Sequence, residues 1–117
     1  MTTKTLPVNL STALVASKQV KAFLGLLAVQ DQNKVLHELS LIANGYSLEF
    51  APVRNPVIAE WCQSHGLCEP QRFKLMCIAP DKGGIRVIFA FTQDDNPKLL
   101  YVIKAGFRNE NVYGDRK

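Results

Sequence analysis

The chain has 117 residues, 47% of them hydrophobic, and 14 Lys+Arg against 10 Asp+Glu give a net charge of +4. That length suits a single domain over residues 1–117, large enough to bury a core without disulfides or metal. The apolar content excludes wholesale disorder, and the longest purely apolar run, Phe23–Val29, falls far short of the ~20 residues a membrane helix needs. A modest positive charge is compatible with a polyanionic partner without demonstrating one.

Three cysteines are an odd and sparse set, so reduced thiols in a cytoplasmic protein are expected rather than a disulfide scaffold. The segment Leu6–Ala16 is interrupted by Pro7, Asn9, Ser11 and Thr12, unlike the unbroken apolar stretch of a secretory leader.

Thr5–Leu10 can form a short edge strand, where Pro7 is tolerated. Ser11 or Thr12 can cap a helix carrying Leu14, Val15, Lys18, Val20, Phe23, Leu24 and Leu27 at roughly helical spacing. A break near Val29–Asp31 precedes a second helix, capped by Asp31, with Val35, Leu36, Leu39 and Ile42 on its apolar face. Gly45 after Asn44 is suited to its C-terminal end. Two adjacent helices with a short link predict an antiparallel hairpin. The stretch Tyr46–Gln71 holds Pro52, Pro56 and Pro70 and reads mostly as loop, with a helical turn or two over Ile58–Ser64.

Three strands follow, at Phe73–Ile78, Ile85–Phe91 and Leu99–Ala105, separated by the turn signals Asp81–Gly84 and Asp94–Pro97. Short links require antiparallel pairing. The fold class expected is therefore α+β, an N-terminal helical hairpin packed on a small antiparallel meander. Side chains alternate across a strand. The row Ile85, Val87, Phe89 and Phe91 is wholly apolar and must face the helices, which leaves Lys74 and Arg86 together on the open face.

The order of the pieces Phe73-Lys74-Leu75, Gly84-Ile85-Arg86-Val87-Ile88-Phe89 and Gly106-Phe107-Arg108-Asn109-Glu110-Asn111-Val112-Tyr113, after a helical hairpin and the link Gly45-Tyr46-Ser47-Leu48, resembles the RelE-type toxins of bacterial toxin–antitoxin pairs. The resemblance departs from the family at Met76, where a second basic residue is common, and in a tail whose basic cluster is reduced to Arg108. It implies an endoribonuclease that cuts mRNA on the ribosome, without a cofactor or metal, and is neutralised by a cognate antitoxin with which it can form an oligomer. Cleavage by the 2′-hydroxyl needs a proton removed, phosphate charge stabilised and the leaving oxygen protonated. Arg86 suits charge stabilisation because its planar fork binds phosphate bidentately and stays ionised. By the resemblance, Arg86 and Tyr113 lead the site, Lys74 and Arg108 add charge, and Lys104 joins Lys74, Arg86 and Arg108 in holding RNA. Two other readings stand beside this one: a non-enzymatic protein of the same fold that poisons DNA gyrase, and a generic nucleic-acid binder. At each cation the alternative role is a solvated charge or a structural ion pair.

Cys62, His65, Cys68 and Cys77 could supply four zinc ligands, but their spacing lacks the usual close cysteine pairs, and free thiols are expected instead. His37 reads as a helix-surface residue, and His65 as a loop histidine with some acid–base potential.

Overall fold

The computed structural model describes residues 13–76, 83–93 and 98–107. Their order is β1 (Ala13–Ala16), α1 (Lys18–Leu26), α2 (Val29–Ala43), β2 (Ala51–Pro52), α3 (Pro56–Ser64), β3 (Gln71–Leu75), β4 (Ile85–Phe91) and β5 (Leu99–Phe107). The strands form one sheet in the order β1-β5-β4-β3-β2. The β2–β3, β3–β4 and β4–β5 pairs are antiparallel, whereas β1 runs parallel to β5.

The class is α+β, as expected, with two corrections to the arrangement. The sheet is mixed rather than purely antiparallel, because β1 pairs with β5, from which all the other elements separate it, so no short turn forces an antiparallel pairing. The helices are also not confined to the N-terminal part, because α3 follows β2.

The sheet is covered on both faces. Val20 and Phe23 of α1 and Val35, Leu39 and Ile42 of α2 pack on Phe73, Ile85, Val87, Phe89, Leu100, Val102 and Ala105. Phe89 is the centre of this core, fully buried and ringed by Phe50, Phe73 and Phe91 at centroid distances of 5.3, 6.0 and 6.0 Å. The apolar row of β4 therefore faces the helices as the alternation required. Of the helix residues expected opposite it, Leu39 is buried, Leu24 and Leu27 are partly buried, and Leu36 is 42% exposed. On the other face Ile58 and Cys62 of α3 pack with Val53, Leu67, Ile88 and Ala90, and Tyr101 and Ile103 border them.

The element boundaries shift for identifiable reasons. Ser17, not Ser11 or Thr12, caps α1, and its side chain accepts from the Val20 N–H. The residues Ala13–Ala16 just before it extend along β5 and form the edge strand; the segment Thr5–Leu10 lies outside the described residues. Ala28 is the N-cap of α2, without a side-chain cap. Asp31 instead sits buried in the first turn, where the helix dipole favours negative charge. Gly45 adopts a left-handed backbone at the end of α2, as its position suggested. The third strand from the C-terminal end, expected at Phe73–Ile78, is Gln71–Leu75, and Cys77 and Ile78 lie outside the described residues.

The largest correction concerns Tyr46–Gln71, where the helical turn or two expected over Ile58–Ser64 is a full nine-residue helix, Pro56–Ser64. Asn55 caps α3 by accepting from the Val57 and Ile58 N–H groups at 2.9 and 3.2 Å, and Pro56 occupies the first turn, where its missing N–H costs nothing. The helix ends at Gly66, whose φ of 70° allows the Leu67 N–H to reach back to the Cys62 carbonyl at 2.9 Å. Leu67 and Cys62 then share the same apolar cluster. The exit segment is sewn to the end of β4: Cys68 N–H donates to the Phe91 carbonyl and Gln93 N–H to the Gly66 carbonyl, at 2.7 and 2.9 Å. These bonds fix α3 across the second face of the sheet.

Candidate nucleic-acid interface

Among the described residues the second face is covered only in part. At the end under α3 it carries Ile88, Ala90, Tyr101 and Ile103. From Ile88 outward, at the border of the α3 cluster, the register places two rungs side by side. In one, Arg72 of β3 lies opposite Ile88, which lies opposite Lys104 of β5. In the next, Lys74 lies opposite Arg86, which lies opposite Gly106. Directly opposed residues share a face about 5 Å apart, and successive same-face positions on a strand are about 7 Å apart. Arg72, Lys74, Arg86 and Lys104 thus form a compact cationic patch bordering the α3 cluster at Ile88. Lys74 is exposed, and Arg72, Arg86 and Lys104 are half-buried. The expectation of a wholly open face is corrected, since α3 shields part of it; the expected juxtaposition of Lys74 with Arg86 is what the register shows.

Lys104 reaches this face through a β-bulge. Ile88 pairs with Lys104 but Phe89 pairs with Val102, so Ile103 is the extra residue. Without it, alternation would send Lys104 or Val102 to the wrong side. With it, Val102 and Ala105 both enter the core packed by α1 and α2, while Ile103 borders the α3 cluster and Lys104 lies beside it. The start of α1 clamps this irregular stretch from the strand edge. The Ser17 N–H donates to the Val102 carbonyl at 3.1 Å, and the Ser17 hydroxyl donates to the Ile103 carbonyl at 2.8 Å. The Gln19 amide donates to the Ala105 carbonyl at 2.7 Å and accepts from the Ala105 N–H at 3.0 Å. Gln19 thereby takes the place of the next residue of β1.

The patch continues toward the other edge of the sheet. A groove of about 390 Å³ is lined by Leu48, Glu49, Phe50, Ala51, Arg72, Phe73 and Lys74. It brings one carboxylate, Glu49, to the same cleft as two of the cations. Neither Arg72 nor Glu49 stood out in the sequence: Arg72 falls before the expected start of its strand, and Glu49 lies in a stretch without periodicity. Arg108 and Tyr113, the other two residues expected in the site, lie outside the described residues.

At the covered end α3 presents Trp61 and His65. Their rings stack with centroids 4.1 Å apart and 22° between planes, and Tyr101 lies 6.0 Å from Trp61 at 56°. His65 Nδ1 is 2.8 Å from the Trp61 carbonyl, which requires the proton on that nitrogen. His65 thus sits at the C-terminal end of α3 rather than in a free loop. His37, as expected, is an exposed residue of α2. Cys62 is buried inside the α3 cluster and burial pushes its thiol up from the ordinary range, whereas Cys68 is exposed at the end of β4. Among the described residues no group of three or more His, Cys, Asp or Glu side chains is disposed to hold a metal ion, and no helix is long and apolar enough to cross a membrane.

No protein-family model matches the chain, and neither a curated protein nor a solved structure matches it.

Proposed function

We propose that this protein is a RelE-like toxin that binds RNA on the cationic rungs of β3, β4 and β5 and cleaves it through the 2′-hydroxyl. The observation that carries this is the placement of Arg72, Lys74, Arg86 and Lys104 on adjacent rungs of one sheet face. Four cations within a few side-chain lengths, on a rigid sheet, match a phosphodiester backbone better than an isolated surface charge does. Arg86 occupies the central strand with Lys74 directly opposite, so two cations converge where charge develops on a phosphate under attack. The resemblance of the C-terminal sequence to RelE-type toxins adds Arg108 and Tyr113 to the same chemistry, ribosome-bound mRNA as substrate, and an antitoxin as the partner that silences it.

Induced expression in a bacterium, read by growth and by mapping RNA ends, tests this. The expected result is growth arrest with new mRNA 5′ ends. Arg86→Ala lowers the cleavage rate about 10²- to 10³-fold, and Arg86→Lys recovers part of it, because lysine keeps the charge but loses the fork. Growth arrest with intact mRNA and DNA-damage signalling would instead indicate a gyrase poison. Full toxicity of a folded Arg86→Ala protein would contradict a nuclease site on this face.

A further inference from the structure

A cationic patch explains how phosphates are held, but not the three rings beside it. Trp61 is the chain's single tryptophan and is 36% exposed. Tryptophan is highly buried on average, though rarely fully so, and the inward positions of α3 are already filled by Ile58 and Cys62. Trp61 lies instead on the flank of the helix, next to Tyr101. It is held in place rather than loose: His65 stacks on it, and the His65 ring is fixed by its contacts with the Trp61 carbonyl and, at 3.1 Å, the Ser64 hydroxyl. A pre-ordered ring loses little freedom on binding a planar ligand.

Tyr101 and Lys104 belong to the same strand, with the bulged Ile103 between them, and three residues of strand span roughly 10 Å. From Trp61 and Tyr101 the face leads directly to Lys104 and then to Arg86, Arg72 and Lys74. Aromatic rings adjoining a basic track are how proteins hold single strands: bases stack on the rings while the cations follow the phosphates. The bases of a duplex are enclosed by their neighbours and offer no free face to such rings.

We infer that Trp61, His65 and Tyr101 form a stacking platform for the unpaired bases of single-stranded RNA whose phosphates lie on Lys104, Arg86, Arg72 and Lys74. This rests on the RNA binding proposed above and adds its substrate form, a single strand recognised through its bases as well as its charge.

Trp61 is its own reporter. Binding of a short single-stranded oligoribonucleotide is compared with binding of an abasic oligomer of equal length and charge, by fluorescence anisotropy of a labelled oligomer and by Trp61 emission. The expected result is quenching of Trp61 by the natural oligomer only, and an affinity on the order of ten-fold higher than for the abasic one. Trp61→Phe keeps most of that difference. Trp61→Ala, checked for folding by circular dichroism, abolishes it and leaves abasic binding unchanged. Equal affinities for the two oligomers with unchanged Trp61 emission would overturn the platform while leaving phosphate binding intact. Failure of both oligomers to bind would overturn the RNA reading itself, and the platform with it.

Discussion

Two residues show how closely single positions are specified. Phe89 is fully buried against three other aromatic rings, so truncation removes both its transfer free energy and its packing. Phe89→Ala should destabilise the fold by about 3–5 kcal/mol, measured by urea unfolding. Gly84 precedes β4 with a φ of 95°, and a Cβ there would stand 2.7 Å from the Leu75 carbonyl oxygen. The clash is with backbone of the neighbouring strand, which cannot rotate away. Gly84→Ala is therefore expected to cost about 1–3 kcal/mol by the same measurement, from strain and a displaced β3–β4 register; an unchanged midpoint would contradict the close approach. The importance of Phe89 is legible from its alternating row. For Gly84 the sequence offers a turn signal but not the adjoining carbonyl, because only the register reveals which atom lies there.

Elements differ in how openly the sequence announces them. β4 and β5 are apolar over most of their length, with β-branched and aromatic residues among them, and were legible as strands. α3 was legible only as a turn or two over Ile58–Ser64, because Pro52, Pro56 and Pro70 look like breakers, yet Asn55-Pro56 is a helix start, a capping side chain followed by a residue suited to the first turn. Asn55→Ala should lower stability by about 0.5–2 kcal/mol and speed hydrogen exchange of α3 amides more than those of α2. Equal changes in both helices would contradict a local cap. β1 was ambiguous because Leu14 and Val15 suit either helical spacing or a strand, and only Ser17 marks where the helix begins. The bulge was not legible, because Leu99–Ile103 is a continuous apolar run in which parity marks no extra residue. The Gln19 amide closes both backbone groups of Ala105 beside that bulge. Gln19→Ala, by removing two hydrogen bonds, is expected to cost about 1–3 kcal/mol. It should also weaken RNA binding through a displaced Lys104, an effect that Gln19→Glu reproduces, because a carboxylate cannot donate to the Ala105 carbonyl.

At the scale of the whole molecule, α1 and α2 pack on one face and α3 on the other, where among the described residues its cluster takes in Ile88, Ala90, Tyr101 and Ile103 but none of the four cations. The pairing of Lys74 with Arg86 was within reach of strand parity, whereas the boundary of the site was not: the patch borders the α3 cluster at Ile88, and of α3 only a turn or two was legible. Arg72 and Lys104 complete the patch from strands whose register only the fold supplies. The claim that these four cations hold RNA phosphates is tested most directly by the salt dependence of single-stranded RNA binding. Each phosphate neutralised contributes about −0.7 to the slope of log affinity against log salt for a single strand. The native protein should show a slope of about −3 or steeper, and Arg72→Ala, Lys74→Ala, Arg86→Ala and Lys104→Ala should each make it shallower by roughly 0.7. A slope near zero, or slopes unchanged in all four folded variants, would contradict the patch as an RNA-binding surface.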